Sequence, residues 1–569
     1  MANINGRAMQ EHSYDAIVVG SGISGGWAAK ELCEKGLKTL VLERGKMVKH
    51  VQDYPTMTKD PWDFELRGAL EYEENQKHAS SVSRIGWGSE ATEHFFANDK
   101  DNPYTEIKPF IWIRGHQVGG RSLVWGKQTY RWSDLDFEAN AKDGYGVDWP
   151  IRYKDIEPWY TYVEKFAGIS GEALGLPHLP DSHFLPPMEL NCVEKYTKKK
   201  IEENFEGRHL IIGRCAHLTK PLNGRGKCQF RNRCSRGCPF GAYFSSNAVT
   251  LPPAEKTGNL TMRPNSIVSS IIYDDEKGKA TGVRVVDSET MEEMEYYAKI
   301  IFCNASAISS TKILLNSKSD RFPNGLGNDS GELGHNLMDH TYKVGAMGSI
   351  EGFEDQYYSG RRPNGIYIPR YVNLDEKTKS DSFLRGFGYQ GGAGRSNWGS
   401  GVNSEDFGSD FKDTLFKPGP WGFFITGFAE CLPYHENKIT LNTDLKDKWG
   451  LPTVNIDCEF KENELRMNDQ IKSDAVEMLE KAGFKNILGF DNQSPPGHGV
   501  HEMGTARMGR DPKTSVLNAF NQVHAAKNVF VTDGACMTSS SCVNPSLTYM
   551  ALTARAADHA VKELNRQNI

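Results

Sequence analysis

Asp15-Ala16-Ile17-Val18-Val19-Gly20-Ser21-Gly22-Ile23-Ser24-Gly25 is the stretch that decides the fold. Ala16 to Val19 form an apolar run short enough for a buried parallel strand, and a helical pattern runs from about Ser24 to Lys35. Gly36 stops that helix and Thr39-Leu40-Val41-Leu42 reads as the next strand, which completes a βαβ unit. Gly20, Gly22 and Gly25 satisfy G-x-G-x-x-G, and Glu43 ends the second strand 18 positions after Gly25. The glycines allow a tight turn and a close backbone approach to a pyrophosphate, whose charge the helix start at Ser24 would face. Glu43, with Arg44 beside it, would meet ribose hydroxyls. Three glycines alone would be a tight turn; with strand, helix, second strand and terminal acid they point to a dinucleotide, FAD or NAD.

Outward from this unit, the chain of 569 residues is longer than one core usually supports, so two domains are expected. Its 67 basic and 73 acidic residues are mixed without a block of one sign, which argues against nucleic acid as a partner. No apolar run of about 18 residues suggests a membrane span, and Met1 to Ser13 lacks the apolar core of an export signal. Residues 51–109 read as long surface connections with short helices. Strand-like alternation returns at Ile267 to Tyr273 and Thr281 to Val286, then at Lys299 to Phe302. From about Thr341 to Asn492 the text is β-rich with one amphipathic helix near Asn463 to Ala482, and a strand at Asn528 to Thr532 precedes a helix from Pro545 to about Leu564. The change of pattern marks a second domain inserted in the first.

Further blocks carry a resemblance. Arg114-Gly115-His116-Gln117-Val118-Gly119-Gly120-Arg121-Ser122-Leu123-Val124-Trp125-Gly126 has two adjacent glycines that let the backbone pass close to a planar ring. Asp148-Trp149-Pro150-Ile151 follows, then Gly331-Glu332-Leu333-Gly334-His335-Asn336-Leu337-Met338-Asp339-His340, then His501-Glu502-Met503-Gly504-Thr505-Ala506-Arg507-Met508-Gly509, with Asn544-Pro545-Ser546-Leu547-Thr548 behind it. In this order they resemble the glucose-methanol-choline (GMC) oxidoreductases over nearly the whole chain. The resemblance implies an α/β fold: a Rossmann-like FAD-binding domain over residues 1–170, 230–345 and 496–569, interleaved with an α+β substrate-binding domain over 171–229 and 346–495. It implies FAD held by Gly20, Gly22, Ser24, Gly25, Glu43, Arg44, Gly119, Gly120, Ser122, Val268, Asp533, Gly534, Asn544 and Pro545. Relatives that attach flavin covalently use a histidine where this chain has Val124, so noncovalent FAD is expected.

Oxidising an alcohol needs a base for the hydroxyl proton while hydride leaves carbon, and imidazole suits that task near neutrality. By resemblance His501 is the base, and Asn544, 43 positions downstream, bonds the same substrate oxygen. Without the resemblance, His501 would read as an ordinary buried histidine and Asn544 as a helix cap. His498 is read as lying behind the reacting groups at best, His335 and His340 as structural. Gln390 and Asn437 are weak candidates for sugar hydroxyls.

Eleven cysteines are present, three of them close together. Cys228, Cys234 and Cys238, in the segment 226–240, stand at C-x5-C-x3-C spacing followed by Pro239, and soft thiolates at such spacing suit one iron–sulfur cluster. Flanking Lys227, Arg231, Arg233 and Arg236 would stabilise the thiolates. Zinc with Cys215 as a distant fourth ligand, or a disulfide with one spare thiol, are the alternatives. The segment is similar to the three-cysteine segment of bacterial FAD-dependent glucose and glucoside 3-dehydrogenases, with one extra residue in the first gap. That similarity implies a [3Fe-4S] cluster, a small subunit, a cytochrome c subunit and co-export to the periplasm, with a cytoplasmic location as alternative. The expected function is dehydrogenation of a secondary sugar hydroxyl, preferably at C3. Oxidation at another carbon, an oxygen-reducing oxidase and a non-enzymatic electron-transfer flavoprotein are the rivals.

Overall fold

The computed structural model describes residues 12–569 except 67, 78–80, 83–84, 357–364, 396–406 and 416–418. The stretch read for an export signal falls mainly on residues 1–11 and lies outside the described residues.

The strand Ser13–Val19 sits inside an eight-stranded sheet. Ala16, Ile17 and Val18 have no exposed surface, as a strand covered on both faces requires. It pairs in parallel with Thr39–Leu42 and with Glu293–Cys303, placing Val18 beside Val41 and Phe302. Leu260–Arg263 and Ala526–Phe530 extend the parallel run on either side. The hairpin Ser266–Asp274 with Lys279–Asp287 joins the first half of Glu293–Cys303 in antiparallel fashion. Sequence located only the last part of that strand, because its first half, Glu293 to Ala298, is polar on its exposed side and lacks the apolar run. The first helix spans Ile23–Glu34 with Lys35 as its cap, and packs on the C-terminal helix Ser546–Asn565.

The second sheet has six strands, all paired antiparallel, in the order Lys485–Asp491, Val344–Ile350, Trp421–Ala429, Phe387–Arg395, Ile366–Ile368, Ile211–Ile212. The helix Glu462–Lys481 buries Met467, Ile471, Ala475, Met478 and Leu479 against one face. Gly427 permits that approach, since a Cβ there would lie 2.5 Å from Ile471 Cγ2.

Four parallel strands end at Val19, Leu42, Cys303 and Phe530 on one edge of the large sheet. The residues just beyond these ends border a single cavity, with Gln390 and Phe428 of the second sheet on its other side. That edge is where open parallel sheets bind their ligands.

Candidate active site

The cavity encloses about 690 Å³, within the range of about 300–1,000 Å³ typical of ligand sites. Gly20, Gly22, Ser24, Glu43, Arg44, Gly120, Ser122, Val268, Asp533, Gly534 and Asn544 line it. Gly25, Gly119 and Pro545 stand behind these and shape the wall. A Cβ on Gly25 would lie 1.9 Å from the Gly20 carbonyl oxygen, so only glycine lets the helix start against the turn. Gly119, at φ 94°, donates its N–H to Ser21 Oγ at 2.9 Å and leaves no room for a side chain against Asn247. Pro545 caps the C-terminal helix rather than opening it.

Glu43 is buried, and Oε2 accepts the Ser21 hydroxyl at 2.6 Å while Oε1 accepts the Gly45 N–H at 3.0 Å. Burial raises its pKa and these donors oppose the rise. Arg44 is drawn to Asn102 and Asp447 at 2.9 and 3.1 Å, which ties the first βα unit to the loop after Lys438–Lys446. Asn304 and Tyr549 line this space, and their Nδ2 and Oη are buried without a hydrogen-bond partner among the described residues. A glycine-walled cradle, a fixed carboxylate and two unpartnered polar atoms along one channel fit a dinucleotide of the FAD type.

At the far end stand His501, Asn544 and Gln390. His340 Nε2 lies 2.9 Å from the Ser541 carbonyl and 3.3 Å from that of Ser540. Both are acceptors, so this nitrogen carries the proton of a neutral ring and Nδ1 accepts. His501 Nδ1, 3.0 Å from His340 Nδ1, must then be the donor. His501 Nε2 is left with its lone pair, 3.3 Å from Asn544 Nδ2. Gln390 Nε2 donates to Asn544 Oδ1 at 2.7 Å, which holds the amide with its NH2 toward the imidazole. Burial lowers the pKa of both histidines, and His340 and Arg121 push His501 well below the usual imidazole value. His501 is therefore a neutral ring at the cavity wall, whose Nε2 lone pair accepts only the long bond from the Asn544 NH2.

The main chain behind these groups is fixed by Asp339, whose carboxylate accepts the N–H groups of Gly497, Gly499 and His501 at 2.7, 2.9 and 2.9 Å. Arg121 reaches Glu502 at 2.7 Å beside them. His335 stacks on His435 away from the cavity. Asn437 bonds the main chain of Glu459, its carbonyl at 3.0 Å and its N–H at 3.2 Å, and does not border the cavity. Sequence reading missed the part of His340, whose only signal was its place next to Asp339 in one block, and missed the cavity walls Trp87, Tyr342 and Phe428, for which no linear signal exists.

The cysteine segment differs from expectation. Cys228, Cys234 and Cys238 are half-buried and form no disulfide, and among the described residues no group of three His, Cys, Asp or Glu side chains is gathered to hold a metal ion. The flanking cations turn elsewhere. Arg231 donates to the Met57 carbonyl, Arg233 to the Thr58 carbonyl and Asp60, Arg236 to the Lys59 carbonyl at 3.1 Å. Burial pushes the Cys228 thiol up to about 11 and that of Cys215 up to about 12, so these two stay protonated. Among the described residues the three thiols are not gathered as a [3Fe-4S] ligand set. The segment does border the cavity, through Ser235, and Lys127 Nζ holds the Cys234 carbonyl at 2.7 Å.

A dinucleotide cradle at the strand ends, closed by an imidazole–amide pair, defines a flavoprotein oxidoreductase acting on CH–OH groups. The chain belongs to the GMC oxidoreductase family: the family's N-terminal model matches residues 14–342 and its C-terminal model residues 433–553. It is 28% identical to the 2-methyl-1,2-propanediol dehydrogenase of Mycolicibacterium austroafricanum, over 96% of this chain and 94% of that one. It is 26% identical to the fructose dehydrogenase large subunit of Gluconobacter japonicus, over 97% and 99%. In fold it is similar to a formate oxidase of Aspergillus oryzae, with a TM-score of 0.61 at 15% identity over 97% of this chain and 99% of the other. Family membership carries FAD as the cofactor. Among the described residues no helix is long and apolar enough to cross a membrane.

Proposed function

We propose that the protein dehydrogenates a secondary hydroxyl of a sugar or glycoside, preferably at C3, with His501 as the base and Asn544 as the donor to the same oxygen. The carrying observation is the unprotonated His501 Nε2, which meets the NH2 of Asn544 at 3.3 Å. FAD, when bound, supplies the hydride acceptor. His501 Nε2 takes the hydroxyl proton, while Nδ1 keeps its own proton against His340. Asn544 donates to the substrate oxygen and so holds it as it becomes an alkoxide. Gln390 stops the amide from turning its carbonyl to that oxygen. Phe428 and Tyr342 exclude water from the same end of the cavity. Support for a polyhydroxylated substrate comes from the relatives, whose names specify a diol and a sugar.

Noncovalent FAD is part of the proposal, supported by Val124 at the cavity wall, which offers no nucleophile. Small and cytochrome c subunits and a periplasmic location complete it; their support is the cysteine spacing and a relative named as a large subunit. The thiol placement favours a second reading for the oxidative half, in which oxygen is the acceptor and the cysteines are structural.

The test is anaerobic flavin reduction by a panel of sugars and methyl glycosides, followed by admission of air and by an iron assay. Reduction by a sugar with a 3-keto product supports the proposal. Reoxidation by air within seconds, without iron, selects the oxidase reading. Reduction by no sugar overturns both.

A further inference from the structure

We propose that His498 binds a second hydroxyl of the substrate, on a carbon other than the one oxidised, and so selects polyhydroxylated rings over monohydric alcohols. The inference rests on the sugar-oxidising reading above and concerns the wall of the same pocket beside His501.

His498 and His501 are carried by one turn wrapped around the Asp339 carboxylate. A Cβ on Gly499, between them, would lie 2.6 Å from the His340 carbonyl oxygen and 2.7 Å from Asp339 Oδ1, so the turn holds this shape only with glycine there. Both imidazoles border the cavity as a result. His501 is fully engaged, whereas His498 is 7% exposed and its Nε2 has no hydrogen-bond partner among the described residues. A buried polar side chain on a cavity wall, with a nitrogen that lacks a partner, is where a ligand can make its bond.

The surroundings define what that ligand offers. The His498 ring stands edge-on to Trp87 at 5.8 Å and to Tyr342 at 5.1 Å. Tyr342 in turn meets Phe428 at 5.0 Å, and Phe428 meets His501 at 6.2 Å. These five rings form an arc with an imidazole near each end. The rings suit the C–H faces of a saturated ring, and the two nitrogens suit two separate oxygens on it. Burial and the nearby Lys343 ammonium lower His498 to about 4, so the ring is neutral at ordinary pH. A neutral imidazole offers one donor and one acceptor, which matches a hydroxyl and does not attract a carboxylate as a cation would. A monohydric alcohol can satisfy His501 alone.

The experiment compares wild type with His498→Phe, which keeps a ring against Trp87 and Tyr342, and His498→Gln, which restores a polar tip. Anaerobic flavin reduction is followed with the best sugar of the panel, its monodeoxy analogues and cyclohexanol. For His498→Phe the sugar's half-saturation concentration is expected to rise about ten- to hundredfold with the limiting rate lowered no more than about threefold. One deoxy analogue, poor for wild type, is expected to lose that handicap in the variant, and His498→Gln to recover part of the affinity. Unchanged sugar affinity in His498→Phe overturns the proposal, as does an equal loss for sugar and cyclohexanol in both variants. Wild type reduced by cyclohexanol and by no polyol overturns the sugar reading itself, and with it the role of His498.

Discussion

The turn at 497–501 and the loop at 226–240 both border one cavity and both carry reactive side chains, yet they are built by opposite means. In the turn, one buried carboxylate takes three N–H groups, and each imidazole of the pair His340 and His501 has its proton assigned by its neighbour. In the loop, the cations bind main-chain carbonyls of residues 57–59, and burial pushes the Cys228 thiol up, so nothing there fixes a thiolate. Reactive residues near one another in sequence acquire a chemical role only when surrounding groups fix their direction and protonation. The turn meets that condition. The loop meets it only if it closes around something further.

The comparison is broken most directly at His501. His501→Ala should slow substrate-driven flavin reduction about 10²–10⁴-fold with FAD still bound, read by anaerobic stopped flow; a loss below fivefold would remove the base from the turn. Asp339→Asn puts an NH2 group among three N–H donors. It should lower the reduction rate about ten- to hundredfold and cost about 1.5–3 kcal/mol of stability for each charge-assisted bond lost, seen as a lower denaturant midpoint. Wild-type stability and rate in that variant would mean that the carboxylate organises nothing.

Protonating His501 removes the base, so the rate should fall about tenfold per pH unit below its pKa. Since that pKa is held well below the usual imidazole value, the profile of reduction rate should be flat from neutrality upward and bend only in the acid limb. A bend above pH about 7 would contradict the neutral dyad. Gln390→Leu frees the Asn544 amide and should cost about two- to tenfold in limiting rate, the worth of one neutral hydrogen bond. The smallest effect is expected in the loop: replacing Cys228, Cys234 and Cys238 together by serine should change flavin reduction less than about twofold, since no thiol takes part in that half-reaction. Iron and sulfide analysis of the wild type then tells whether the loop closes around a cluster.

The parts legible in sequence were those with a local cause. The glycines of the first βα turn could be read because sterics at Gly20 and Gly25 demand them within six residues. His501 and Asn544 were reached through resemblance, not from spacing, because the 42 residues between them include two strands whose path sequence does not reveal. Gln390 was singled out for sugar hydroxyls, and its bond to Asn544 depends on the packing of one sheet against another. The thiol spacing was legible but not the destinations of Arg231, Arg233 and Arg236, since their partners lie more than 170 positions away.

The bond from Gln390 to Asn544 is also a seam. Gln390 belongs to the antiparallel sheet and Asn544 precedes the helix that packs on the parallel one, so a single hydrogen bond of 2.7 Å joins the two layers at the point where a substrate would react. A loosening of one layer against the other, by heat, denaturant or a distant cavity-forming substitution, would reach that bond before it unfolded either sheet. The rate of flavin reduction is then a strain gauge for the whole molecule, reading relative displacement of its halves at a scale that scattering or circular dichroism does not resolve.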